Sequence, residues 1–128
     1  MQRIDTTKVL RLEYHEEPGT GLGPTLEFYS LLAENLKTIE FPIGQGGKMV
    51  TMWRDDVPDH QLFPRAIDLA TVDREILIEV CRLFQMTGIF MAKSIVDNRL
   101  IDMPMSPLMW DLIFGKVSFL DCLTFCRR

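Results

Sequence analysis

A glycine-rich run, Gly19-Thr20-Gly21-Leu22-Gly23, falls between a strand-like and a helix-like segment. Phosphate-binding loops have that layout, because glycines let backbone N–H groups approach an anion at a helix N-terminus. The neighbouring residues point instead to a tight structural turn that docks a strand on a helix. A dinucleotide loop needs a further glycine where Pro24 or Thr25 stands, and a P-loop needs a lysine just before Thr25. Pro24 removes one of the donors a phosphate would use, and Glu16 and Glu17 place negative charge beside the loop.

The thiols and imidazoles are the next candidates. Cys81 lies in the most apolar helical segment and reads as a small buried hydrophobe. Cys122 and Cys126 are four apart and share a helical face, but no second Cys or His pair completes a zinc site. A nucleophilic cysteine wants a neighbouring base or cation, and Arg127 and Arg128 stand near Cys126 only at the chain end. His60 sits beside Asp55, Asp56 and Asp59, which reads as a solvated acidic loop, with an ordered cation site as the alternative. His15 and His60 offer no Ser/His/Asp arrangement. Trp53 and Trp110 read as core or interface anchors. Residue chemistry therefore names no catalytic, cofactor-binding or metal residue.

The elements that would position such groups follow from periodicity. Leu10, Leu12 and Tyr14 alternate with Arg11 and Glu13, as in a half-buried strand over residues 8–15. Pro24 suits a first helical position, and a helix over 25–37 carries Leu26, Phe28, Tyr29, Leu31, Leu32 and Leu36 on a wide apolar stripe. Between 38 and 70 the pattern breaks down, apart from a turn at Gly44-Gln45-Gly46-Gly47 and a short strand near 48–53. A loop of that length needs packing of its own, which Trp53, Leu62, Phe63 and Ile67 can supply.

Residues 73–96 form the strongest element. Glu75, Glu79, Arg82 and Lys93 fall on one narrow strip, so the spacing predicts a central helix buried on most sides. Gly88 in its middle costs about 1 kcal/mol relative to Ala, and close approach of another backbone is the expected compensation. Ser106-Pro107 caps and starts a helix over 108–114 that stops at Gly115, and Ser118 begins a last short helix. The fold class is α+β, mainly α, with a minor β element.

The chain has 128 residues, one domain's length, with 47% hydrophobic residues and a formal net charge of -4. This composition excludes a disordered chain, and the acidic balance (pI about 5.1) argues against a nucleic-acid partner. Three cysteines without scaffold spacing fit a reducing cytoplasm or nucleus. No signal peptide or membrane span is expected, since Glu79, Arg82, Gln85 and Lys93 interrupt the most apolar stretch. A mean hydropathy of +0.07 leaves more apolar surface than a small domain buries.

Several blocks together resemble a known family. Leu10-Arg11-Leu12-Glu13-Tyr14, then Glu17-Pro18-Gly19-Thr20-Gly21-Leu22-Gly23-Pro24-Thr25-Leu26-Glu27-Phe28-Tyr29, look like the opening of a HECT ubiquitin-ligase domain, in its ubiquitin-fusion-degradation branch. Leu62-Phe63-Pro64, the Phe84, Gly88 and Met91-Ala92-Lys93 series, the 97–107 segment and Leu112 to Lys116 follow in the family's order.

The resemblance implies that residues 1–128 are one partial HECT domain, the start of the large subdomain of the N-terminal lobe. In that family a later C-terminal lobe, absent here, carries a cysteine that takes ubiquitin from a conjugating-enzyme thioester and passes it to substrate lysines. That cysteine sits in a Thr-Cys-Phe/Val-Asn-like motif, which Thr124-Phe125-Cys126-Arg127 does not match. The implied partners are ubiquitin, a ubiquitin-conjugating enzyme and a protein substrate, through the full-length protein, with no cofactor, no nucleic acid and no membrane. The alternative is a stand-alone interaction or ubiquitin-binding module without catalysis.

Overall fold

A computed structural model of the chain describes residues 22–118. The expected strand over 8–15 and the last short helix lie outside these residues, as do His15, Gly19, Gly21, Cys122 and Cys126. The elements run α1 (Leu22–Thr38), β1 (Glu40–Phe41), β2 (Val50–Thr51), α2 (Arg74–Val96) and α3 (Pro107–Ile113). The mainly α, α+β class holds. The chain divides into two compact units, whose described parts are 22–52 with 67–102, and 53–66 with 103–118.

In the first unit α1 begins two residues before Pro24, which therefore sits inside the first turn. Its missing N–H is still harmless there, because the first four amides of a helix have no intrahelical acceptor. The buried face of α1 is narrower than the apolar residues suggest. Thr25, Tyr29, Ala33 and Leu36 are buried at helical spacing, while Leu26 and Leu31 are exposed.

β1 and β2 pair antiparallel, with Glu40 opposite Thr51 and Phe41 opposite Val50. Phe41, Ile43 and Met52 from this ribbon are buried. A single 3-10 turn, Gln45–Gly47, links the strands, and Gly44 is required there. A Cβ on Gly44 would lie 2.9 Å from the Lys48 carbonyl oxygen, which itself accepts from the Gly44 amide. The strand near 48–53 is thus found, and its partner β1 is added.

The structure corrects the expectation for α2. Its buried stripe is only Val80, Thr87, Phe90 and Ser94, joined by Lys93. Ile78, Met86, Ile89, Ile95 and Val96 are exposed, so the helix is not covered on most sides among the described residues. Cys81 is exposed rather than buried. A helical wheel reports which residues are polar, and here the apolar arc exceeds the one face that α1 covers. The stripe of presumed surface charges also breaks at Lys93, which is buried.

In the second unit the main chain is held by isolated bridges, Trp53 with Pro64 and Leu62 with Met105. Leu62 donates to the Pro104 carbonyl at 2.7 Å and accepts from the Ser106 amide at 3.0 Å. Trp53, Leu62, Phe63, Met103 and Met105 are buried, so this part of the loop is packed down by its own side chains; Ile67, which belongs to the first unit, is half-buried. α3 follows its sequence signals closely. Ser106 Oγ accepts from the Met109 amide at 3.2 Å, Pro107 is the first helical residue, and Gly115 at φ 67° ends the helix.

Gly88 also departs from expectation. A Cβ there would meet nothing within 4 Å, so no backbone approaches among the described residues. Gly88→Ala is therefore expected to stabilise the chain by about 0.5–1 kcal/mol, through helix propensity alone. Urea denaturation checks this; a destabilised variant would show that something packs against Gly88.

Candidate functional site

A buried polar cluster joins α1 to the C-terminal end of α2. Tyr29 is placed by the buried face of α1, where its ring lies 5.4 Å from that of Phe90 at 25° and 5.9 Å from Phe28 at 80°. Its hydroxyl donates to Asp97 Oδ2 at 2.7 Å. Lys93, one turn before Asp97 on the same helix, donates to Asp97 Oδ1 at 2.6 Å. Both side chains of this ion pair are buried, and each charge helps compensate the desolvation of the other. Burial, the hydrogen bond to Asp97 and the carboxylate's charge push the Tyr29 phenol from 10.0 up to about 12, against a smaller opposing effect of Arg99.

Local backbone explains why Asp97 stands where it does. Asn98 at φ 53° turns the chain left-handed, the Asn98 amide donates to the Ile95 carbonyl at 3.1 Å and the Arg99 amide to the Ser94 carbonyl at 2.8 Å. That is a Schellman-type stop with Asn in the place of the commoner glycine. It fixes Asp97 and Arg99 on either side of one left-handed residue. At the other end of the same segment, Lys37 near the C-terminus of α1 bridges Glu34 at 3.0 Å and Asp102 at 2.6 Å. The hydrogen bond to Asp102 is the main cause of a raised Lys37 pKa.

The second unit holds a cleft of about 360 Å³ lined by Arg54, Val57, Pro58, Gln61, Phe63 and Leu108, among others. Arg54 clamps Asp56 with both forks of its guanidinium, Nε to Oδ1 at 2.7 Å. Those bonds hold the Asp56 carboxyl down to about 2. Arg65 takes Asp55 at 2.7 Å. Two of the three carboxylates beside His60 are thus spent on arginines, and among the described residues no group of three His, Cys, Asp or Glu is placed to hold a metal ion. Asp59 and His60 are exposed, with φ of 56° and 54°. The acidic loop is an ion-paired surface.

Of the other sequence candidates, Gly23 and Thr25 lie in the first turn of α1, with Thr25 buried. Trp53 is buried, and Trp110 stacks on Phe114 at 6.1 Å. Neither unit assembles a nucleophile with a base among the described residues. Sequence reading missed the Tyr29–Asp97–Lys93 cluster. One signal was present in Lys93 and Asp97 at i,i+4, which ordinarily marks a solvated pair.

The family model for the HECT domain (ubiquitin-transferase) matches residues 47–126. The chain belongs to the HECT-domain family. Relatives include the E3 ubiquitin-protein ligase UPL3 of Arabidopsis thaliana, 35% identical over 84% of this chain and 7% of its own length. The ubiquitin fusion degradation protein 4 of Saccharomyces cerevisiae is 32% identical over 82% of this chain and 7% of its own. The E3 ubiquitin-protein ligase hecd-1 of Caenorhabditis elegans is 33% identical over 80% and 4%. The chain spans a small part of the HECT-family relatives it matches, and no solved structure matches it significantly. In this HECT-family chain no described helix is long and apolar enough to cross a membrane.

Removing the Asp97 carboxylate deprives buried Lys93 of the opposite charge 2.6 Å away. Asp97→Ala is expected to cost about 3–5 kcal/mol, seen as loss of the cooperative unfolding transition. Lys93→Met together with Asp97→Asn removes both charges and is expected to retain it; equal collapse of both variants contradicts the ion-pair account. Tyr29 supplies a second prediction. Its folded pKa lies above its unfolded value, so its contribution is complete below pH 10 and is lost as pH rises from 10 toward 12. Alkaline melts of the parent chain should steepen in that window, and those of Tyr29→Phe should not.

Proposed function

We propose that residues 1–128 are the opening part of the N-terminal lobe of a HECT-type ubiquitin ligase of the ubiquitin-fusion-degradation branch. In this reading they are scaffold. They support transfer of ubiquitin from a conjugating enzyme to substrate lysines, through a cysteine in a C-terminal lobe that lies outside them. The observation that carries the reading is the family match over 47–126, together with relatives whose names include ubiquitin ligases and ubiquitin fusion degradation proteins. Ubiquitin, a conjugating enzyme and a protein substrate are the partners of the full-length protein, in cytoplasm or nucleus.

The described surface supports a scaffold. Ile113 at the end of α3 and Phe114 just after it are exposed, as are Ile78, Met86, Ile89, Ile95 and Val96 on α2, which leaves apolar surface for further parts of a larger lobe to cover. No described residue set can form a thioester with assistance. Cys81 is exposed on α2, where Arg82 beside it in sequence is exposed too, and the motif of the family's thioester cysteine is not matched at Cys122 or Cys126.

Incubation with thioester-loaded conjugating enzyme is expected to give no reductant-sensitive ubiquitin adduct on this chain. An adduct that disappears on Cys126→Ala would contradict the scaffold reading. Titration of labelled ubiquitin with the chain separates off the ubiquitin-binding alternative, which requires saturable shifts of ubiquitin resonances.

A further inference from the structure

The cleft of the second unit is walled mainly by apolar side chains from two stretches of chain. Val57, Pro58 and Phe63 come from one stretch, Pro107 and Leu108 from the other. Its volume of about 360 Å³ is at the small end of the range for ligand sites, roughly 300–1,000 Å³, and suits one or two side chains. Few polar groups on its wall are open to a ligand. Pro58 and Pro107 have no amide hydrogen, and the Gln61 and Ser106 amides donate to the Pro58 and Leu62 carbonyls. Ser106 Oγ accepts from the Met109 amide. Gln61 is different. Its carboxamide, half-buried on the wall, finds no hydrogen-bond partner among the described residues.

The wall that carries Gln61 is held in shape. Arg54 clamps Asp56 at its start, and Leu62 bridges to Met105 just after its end. Between them Asp59 and His60 take φ of 56° and 54° in succession. Left-handed residues ordinarily occur singly, and two in a row persist only where the surroundings impose them. The turn closes with the Gln61 amide on the Pro58 carbonyl at 3.2 Å, which sets Pro58 and Gln61 side by side. The charge around the cleft has a sign as well. Residues 53–66 carry Asp55, Asp56 and Asp59 against Arg54 and Arg65, while 103–108 carry no charge. Asp55 and Asp56 are paired with the arginines, whereas exposed Asp59 enters no ion pair among the described residues.

We propose that this cleft docks an extended segment of a partner protein, whose apolar side chain enters the cleft while a nearby lysine or arginine meets Asp59. A carboxamide offers a donor and an acceptor together, which matches the N–H and C=O of a peptide unit bound at Gln61. An anion would need donors alone and would meet a net negative rim. Residues two apart in an extended segment share a face, so the apolar and basic side chains can engage at once. The site lies within the second unit and stands whether or not the chain takes part in ubiquitin transfer.

The test follows the Gln61 side-chain amide and the Val57 and Leu108 methyl resonances of the 128-residue chain during titration with capped peptides. Lys-Ala-Leu-Ala-Lys is compared with Glu-Ala-Leu-Ala-Glu and with Lys-Ala-Ser-Ala-Lys. The expected result is saturable movement of all three signals with the first peptide and none with the serine peptide. The glutamate peptide should bind at least about threefold more weakly, as for an exposed ion pair. Gln61→Met keeps the side chain's length but not its hydrogen bonds. It should keep its melting temperature and lose about fivefold in affinity, the worth of one hydrogen bond. Asp59→Asn suits the same left-handed turn and should bring the preference for lysine below about twofold. Equal binding of the glutamate or the serine peptide overturns the proposal. So does unchanged affinity in Gln61→Met, or an unchanged preference in Asp59→Asn. Signals that respond to no peptide overturn it too, and would assign the cleft to the chain's own residues. Shifts that depend on protein concentration alone would assign it to a second copy and overturn the partner named here.

Discussion

A single buried carboxylate ties the first unit together. Asp97 lies just past the end of α2, yet both of its oxygens are taken, one by the phenol of α1 and one by a lysine of its own helix. The sheet offers little else to fix the helices. β1 and β2 are two residues each, and a ribbon that short does not hold its shape unaided. The Tyr29–Phe90 ring stack and this carboxylate are two contacts that tie α1 to α2. One contact is apolar and tolerant of small shifts. The other is a directional hydrogen bond of 2.7 Å, which tolerates displacement less.

The same tie explains why Lys93, on the strip expected to face solvent, is buried. Lys93 sits on the strip shared with Glu75, Glu79 and Arg82, all of which are exposed. Its burial at the last turn is possible because Asp97 neutralises it one turn later and because cations are favoured near a helix C-terminus. Arg99 follows from the same stop, held beside the cluster by the left-handed Asn98. Structure and surface chemistry at this corner are one arrangement.

Local signals in the sequence were read well where they act locally. The cap at Ser106-Pro107 and the stop at Gly115 place α3 to within a residue, because each is a backbone requirement met by neighbouring residues. α2 was placed in extent for the same reason. Its environment was not legible, because an apolar wheel counts residues that want cover and does not say which of them find it in this part of the chain. Ile78, Ile89 and Val96 illustrate the gap, and so does Cys81. The Tyr29–Asp97 contact spans 68 positions, and no periodicity reveals such a pair. The family, by contrast, was legible from motif order, which needs no knowledge of packing.

On the reading proposed above, these residues serve a HECT ligase as a frame rather than a reaction centre. The described clusters are ion pairs, and among the described residues no nucleophile stands beside a base. The central physical claim is that Asp97 and Tyr29 act as a unit across α1 and α2. A double-mutant cycle with Tyr29→Phe and Asp97→Asn measures it directly by urea denaturation. The account predicts a coupling of at least about 1 kcal/mol, within the range for contacting residues. Effects that add to within about 0.3–0.5 kcal/mol, as for distant sites, would contradict it.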